Sequence, residues 1–229
     1  TVPRTYRSFT HKEAIFRICC AQFDAVTGAI VAQRRILESY LRKHGRFAES
    51  YEPVDALPGA PDVARRMARG AGPPGVGPMA AVAGTMAQCA AEAGLEAGAG
   101  EAIVENGGDI FLVVNEPVTV GLHTGTEKLA DRLAFLLEPD RTPIAICSSS
   151  STMGHSTSLG NCDLATVVAK DAALADAAAT RAANLVRSIE DVDAALERIA
   201  EIKGIDGVLI VKNERVGLAG RLPEIVKTQ

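Results

Sequence analysis

Residues 175–180 read Ala-Asp-Ala-Ala-Ala-Thr, inside an alanine-rich run from Lys170 to Val186. Asp176 and Thr180 stand four apart, so a helix carries both on one face, one turn from each other. A carboxylate and a hydroxyl at one spot make an oxygen-only donor pair, the kind that holds a hard cation such as Mg²⁺. The surrounding alanines let a neighbouring element approach closely. The same six residues also describe a plain packing helix with a polar edge. From these letters alone both readings stand.

Three further stretches carry candidate chemistry. Asn106-Gly107-Gly108-Asp109 lies between two strand-like runs. Its glycines permit positive φ and close approach of a ligand to the backbone. The exposed amides and the acidic side chain suit a polar heterocycle or a ribose; the same tetrapeptide is also good chemistry for a tight hairpin turn. Ser148–Ser158 is dense in hydroxyls and contains His155. It suits hydrogen bonding to a nucleotide, with Ser149, Ser150 and Thr152 as contacts. A serine nucleophile with His155 as base is a second reading, although no G-x-S-x-G elbow is present. A solvated polar loop is the third. Gly70–Gly77 precedes a helix opening at Pro78, where free amides and the helix dipole can hold an anion. A flexible lead-in fits these glycines equally, and the absence of GK[ST] excludes a Walker P-loop. His11, His44 and His123 show no metal-ligand spacing and read as ordinary surface or loop histidines.

Composition narrows the class. The 229 residues are 47% hydrophobic and 23% charged, enough for a sizeable core in one large domain or two fused halves. Aromatics are only 4% and Trp is absent, which argues against nucleic-acid binding by base stacking. The net charge of −4 is uneven. Residues 1–70 hold 12 Lys and Arg against 7 Asp and Glu, and the remainder 12 against 21. The basic part reads either as an anion site or as solvated helix faces, without a concentrated nucleic-acid stripe. Five cysteines without a CxxC pair read as reduced structural thiols. Adjacent Cys19 and Cys20 must point to opposite faces of a strand. No run reaches 18 apolar residues and the first residues hold no apolar leader, so the expectation is a cytoplasmic protein that neither spans nor binds a membrane.

The elements that must position these residues follow from pattern. Tyr6–Phe9 and Ala14–Cys20 read as strands around a hairpin. A helix is expected from about Thr27 to His44, closed by Gly45, with a shorter one at Asp62–Arg69. Another runs from Pro78 to about Gly94. Strand signals follow at Ala102–Glu105 and Ile110–Val114. The second half opens with β-like runs at Pro117–Leu122, Leu129–Leu137 (alternatively helical) and Pro143–Cys147. After the Ser148–Asn161 loop come a strand at Leu164–Ala169 and the Asp171–Arg187 helix. Ser188 and Asp191 resemble a capping box for a further helix to about Glu201. Val208–Val211 and Arg215–Leu218 close as a hairpin. Both halves, about 1–115 and 116–229, run strands, two helices, strands. The expectation is a single α+β domain of tandem β-β-α-α-β-β units, antiparallel sheets with helices packed on one face.

Three pieces in order carry a family resemblance: Val104-Glu-Asn-Gly-Gly-Asp-Ile110, then Ser148–Gly160 with His155, then Ala175-Asp-Ala-Ala-Ala-Thr180. Together they resemble the ApbE superfamily of flavin-handling proteins. Val76-Gly-Pro-Met-Ala-Ala-Val-Ala-Gly84 with the 104–109 segment resembles its UPF0280 (DUF375) branch, over roughly Tyr6 to Gly220. The resemblance implies tandem T-fold-like units with a ligand cleft between them. It implies Mg²⁺ held by Asp176 and Thr180 beside an FAD pyrophosphate, with transfer of FMN to Thr or Ser of an acceptor protein. It places Asn106, Gly107, Gly108 and Asp109 at the flavin cleft and His155, with Asp176, in the catalytic machinery. Two family elements differ. The usual H-x-x-D-P-x-T-G segment reads Gly154-His-Ser-Thr-Ser-Leu-Gly160, without Asp-Pro, and the Met-Gly-Thr element has no counterpart. A non-catalytic carrier or sensor of a flavin, pterin or related heterocycle is the alternative. Open sheet edges make a homodimer a further expectation.

Overall fold

Two β-hairpins flank a helical segment, and the pattern then occurs a second time. In the computed structural model, which describes residues 3–124, 133–151 and 160–227, β1 (Arg7–His11) and β2 (Ala14–Cys20) pair antiparallel. The chain then forms α1 (Phe23–Leu41), α2 (Gly45–Glu49), α3 (Asp62–Ala71), a 3-10 turn at Pro78–Ala81 and α4 (Val82–Glu96). It returns as β3 (Ala102–Asn106) and β4 (Asp109–Val113). After β5 (Val118–Leu122) and β6 (Leu133–Leu137) come β7 (Ile144–Ser149) and β8 (Leu164–Ala169). Then follow α5 (Ala172–Leu185), α6 (Asp191–Ala200), β9 (Ile205–Lys212), β10 (Arg215–Gly220) and β11 (Glu224–Val226). The units β1-β2-β3-β4 and β7-β8-β9-β10 join where β4 pairs β7, giving one eight-stranded antiparallel sheet. This is the α+β arrangement expected from the pattern, with the helices on one face.

Strand alternation sorts the side chains into two cores. Phe16, Ile18, Val104, Phe111, Ala145, Val167, Val208 and Ile210 point to the helices. Cys19, Ile103, Leu112, Ile144, Ile146, Val168, Leu209 and Val211 point the other way. There they meet Val118, Val120, Phe135 and Leu137 of a separate three-stranded sheet, β11-β6-β5. β5 and β6, the described parts of the Pro117–Leu122 and Leu129–Leu137 runs, therefore do not extend the main sheet; they cover its second face, and residues 125–132 lie outside the described region. A main sheet covered on both sides explains why every residue of β8 is buried. Each fully buried Leu, Ile or Phe in these layers contributes roughly 1.5–3 kcal/mol of transfer free energy.

Several boundaries differ from the sequence reading for local reasons. The first helix starts four residues earlier, at Phe23, because Val26 is already core-facing. Gly45 does not close it; Arg42 caps it, and Gly45 opens α2 around the buried Phe47. The Pro78 helix begins as a 3-10 turn before α4. The Ser188–Asp191 cap is present in part: the Asp191 carboxylate accepts the Ser188 N–H at 2.8 Å, and α6 starts at Asp191 itself. The cysteines are free, with Cys19 and Cys20 on opposite faces as expected. Among the described residues no helix is long and apolar enough to cross a membrane.

Candidate functional site

The alanines of α5 act first as a packing surface. A Cβ on Gly84 of α4 would lie 2.5 Å from the Ala172 carbonyl oxygen and 2.9 Å from Asp176 Cβ. A Cβ on Gly70 of α3 would lie 2.6 Å from Ala173. Small residues on both sides thus bring α3 and α4 onto α5. The Ala172 N–H donates to Gln88 Oε1 at 2.9 Å, and Asp171 caps α5 by accepting from the Ala173 and Leu174 amides. This close contact seats Asp176 against the opening turn of α4. Its Oδ2 accepts the Gly84 N–H at 2.8 Å, and the Ala83 amide also favours its charged form. No side chain of α4 caps its own N-terminus. Asp176 does so from the neighbouring helix. Asn106 binds the same turn from the other side, donating from Nδ2 to the Ala83 carbonyl at 3.2 Å.

The Asn106–Asp109 segment is both of the things its letters allow. Asn106 pairs Asp109 across the β3–β4 hairpin, and Gly107 and Gly108 take φ of 65° and 101°. It is a two-residue turn of the kind that needs positive φ at both central positions. The turn also borders a cleft of about 760 Å³ where the β3–β4 turn and the end of β7 meet α4 and α5. Asp109, Ser148, Ser149 and Ser150 line it from the sheet, and Asp176 and Thr180 line it from α5. Phe16, Ile30, Met79 and Met86 give it an apolar wall. The size suits a drug-sized or nucleotide-sized ligand, and an apolar wall with a few convergent polar groups is the usual form of a small-molecule site.

Electrostatically the floor of the cleft is acidic. Burial pushes the Asp176 carboxyl up to about 7, against the pull of the Gly84 and Ala83 amides. Burial, and then the Asp176 charge, hold the Asp109 carboxyl well above the usual carboxylate range. Burial followed by Asp109 and Asp176 raises the Cys147 thiol beneath them. Asp109 Oδ1 and Ser149 Oγ are buried without a hydrogen-bond partner among the described residues. Arg34 lines the cleft, but its guanidinium is bonded to Glu13 and Glu38. Two buried carboxylates, Asp109 raised further by the charge of Asp176, leave a site that favours a bound cation or a shared proton.

Of the sequence candidates, Asn106, Gly107, Gly108, Asp109, Ser149, Ser150, Asp176 and Thr180 all line this one cleft. Thr152 and His155 lie outside the described residues. His11 and His123, read from sequence as ordinary loop or surface histidines, also line the cleft. Their spacing could not show this, because the β1–β2 hairpin and the end of β5 bring them in. Arg34 was readable only as part of the basic stretch that offered an anion site, and Met79 and Met86 only as one face of a helix. The Gly70–Gly77 segment does not offer a cradle of free amides: Gly75 and Val76 both donate to the Ala71 carbonyl. Among the described residues no group of three or more His, Cys, Asp and Glu side chains forms a metal cluster.

Comparison with known proteins places the chain. The family model described as AbpE bacteria matches residues 15–218. A UPF0280 protein of Methanocaldococcus jannaschii is 41% identical over 211 residues, covering 90% of this chain and 85% of its own. One from Methanosarcina acetivorans is 37% identical over 225 residues, covering 96% and 88%. The chain belongs to the AbpE family, in its UPF0280 branch. The solved flavin transferase ApbE from Vibrio cholerae shares the fold, with a TM-score of 0.59 at 15% identity, over 95% of this chain and 96% of that one. The flavinyl transferase ApbE of Pseudomonas stutzeri gives a TM-score of 0.61 at 12% identity, over 94% of each. At such low identity the likeness is one of fold, and the AbpE assignment rests on the family model and the UPF0280 relatives.

Proposed function

We propose that this AbpE-family protein handles a flavin nucleotide, cleaving the FAD pyrophosphate or transferring FMN to an acceptor protein, in a reaction that depends on Mg²⁺. The observation that carries the reading is the convergence of Asp176, Thr180 and the Asn106–Asp109 turn on one cleft of nucleotide size. The donor set suits the ion. Asp176 and Thr180 offer oxygens one helical turn apart, and Asp109 has a buried carboxylate oxygen with no donor against it. When bound, Mg²⁺ would neutralise charge on the FAD pyrophosphate and stabilise AMP as the leaving group when the P–O–P bridge breaks. In this reading the chain's own groups divide the work. Asp176 and Thr180 hold the ion, and Ser149 and Ser150, with Thr152, hydrogen-bond the nucleotide. Asn106 anchors the turn, and the wall of Phe16, Met79 and Met86 covers the apolar face of the ring system. His155 would move a proton from its loop. The division of the domain into halves at about 1–115 and 116–229 belongs to the same proposal.

The test is incubation with FAD and Mg²⁺, with AMP and free or protein-bound FMN quantified. Turnover that disappears in Asp176→Ala is the expected result; no turnover, with Asp176→Ala indistinguishable, rejects the enzymatic reading. The second reading, a non-catalytic carrier or sensor of a flavin or pterin, is favoured by the Gly154–Gly160 segment, which lacks the family's Asp-Pro. Saturable, Mg²⁺-independent binding without turnover would support it. A ligand at 100 times its Kd stabilises by about 2.7 kcal/mol, so failure of every flavin and pterin to raise the melting temperature rejects it.

A further inference from the structure

A second hollow, of about 320 Å³, lies between α5, α6 and the Pro73–Gly75 loop. Thr180 faces the first cleft and the next residue, Arg181, faces the second. Arg181 Nε is buried and has no hydrogen-bond partner among the described residues. Arg198, in the last turn of α6, lines the same hollow and is close enough for its charge to act on Arg181. Burial and that like charge both disfavour the Arg181 guanidinium. Glu201 borders the hollow, yet among the described residues no ion pair joins it to either arginine. Two guanidinium side chains on one hollow, with no carboxylate bonded to either among the described residues, make an arrangement that an anion completes. Planar guanidinium forks match the tetrahedral oxygens of a phosphate, and two of them suit its double charge. The loop contributes shape rather than amides, since the Gly75 N–H is spent on the Ala71 and Gly72 carbonyls.

We propose that this hollow is an oxyanion site, taking inorganic phosphate or the phosphate group of a small monoester between Arg181 and Arg198. It is independent of the flavin reading, because Asp176 and Asp109 play no part in it.

The probe is inorganic phosphate, with glycerol phosphate in a parallel arm. Both are titrated against chloride of matched ionic strength with EDTA present, and thermal unfolding is followed. The wild type is expected to show a saturable rise in Tm of roughly 3–6 °C at ten times the Kd. A response to phosphate alone assigns a free-ion site, and a response to the ester assigns a monoester site. Arg198→Gln, at an exposed position, is expected to abolish the response and to raise the Tm without phosphate. Asp176→Asn is expected to keep the full response. The proposal is overturned if neither probe exceeds chloride, if Arg198→Gln responds like the wild type, or if Asp176→Asn loses the response.

Discussion

Replacing Asp176 with asparagine is expected to stabilise the ligand-free protein above pH 7 while removing whatever the cleft does with a cation. In the fold the Asp176 carboxyl is pushed up to about 7 from an ordinary value of 3.8, chiefly by burial. Below about pH 4 the folded and unfolded chains are both protonated at this group, and it costs nothing. Between about pH 4 and 7 the fold keeps a proton that the unfolded chain has released, so stability falls as pH rises. Above 7 the full cost is present. A shift of this size corresponds to about 4 kcal/mol at 1.36 kcal/mol per unit, taken as a ceiling because relaxation and the neighbouring Asp109 share it. Asparagine keeps an oxygen for the Gly84 N–H and carries no charge, so its stability lacks this dependence. Urea unfolding of both proteins across pH 4.5–8.5 in EDTA isolates the effect as a difference curve, from which the carboxylates other than the neighbouring Asp109 cancel. The variant is expected to match the wild type at low pH and to exceed it by up to about 4 kcal/mol at pH 8. Adding Mg²⁺ at pH 8 is expected to close the gap by stabilising the wild type alone. Parallel curves, or a variant less stable at pH 8, would refute the placement of a desolvated carboxylate here.

Gly84→Ala gains about 1 kcal/mol in helix propensity, yet its methyl would enter the Ala172 carbonyl at 2.5 Å, so a net loss of about 1–2 kcal/mol is expected in urea unfolding. Cys147 and Cys162 are buried, with thiols raised by desolvation, the latter to about 12; at pH 8 both are expected to resist a thiol reagent until the protein unfolds, as peptide mapping would reveal. Hydrogen bonds from Arg4, at 2.9 and 3.0 Å, hold the Glu101 carboxyl low. Glu101→Gln is therefore expected to cost about 1 kcal/mol at pH 7, an effect that fades as pH falls below 4, when the wild type also loses the charge.

How much of this was legible in the letters depends on the range of the interaction. The strands β2, β8 and the 106–109 turn could be read because alternation and glycine chemistry are local. Gly45 misled for the same reason: glycine ends many helices, but here the core demand of Phe47 opens another. β11, three residues with exposed Glu224, offers no pattern and exists only because it pairs β6. Asp176 and Thr180 could be read as a pair, but not the neighbourhood of Asp176 and Asp109. That depends on the β4–β7 pairing and on glycine-to-alanine contact between α4 and α5. His11 and His123 reach the cleft by tertiary placement that their spacing does not encode.

The central claim is that the cleft holds a flavin nucleotide with Asp176 and Thr180 at its charged end. Calorimetric titration of FAD with and without Mg²⁺, on the wild type, Asp176→Asn and Thr180→Val, tests it most directly. The account predicts FAD binding tightened by Mg²⁺ in the wild type, with that tightening lost in both variants while metal-free binding persists. Absence of FAD binding under either condition, or equal Mg²⁺ tightening in all three proteins, would contradict it.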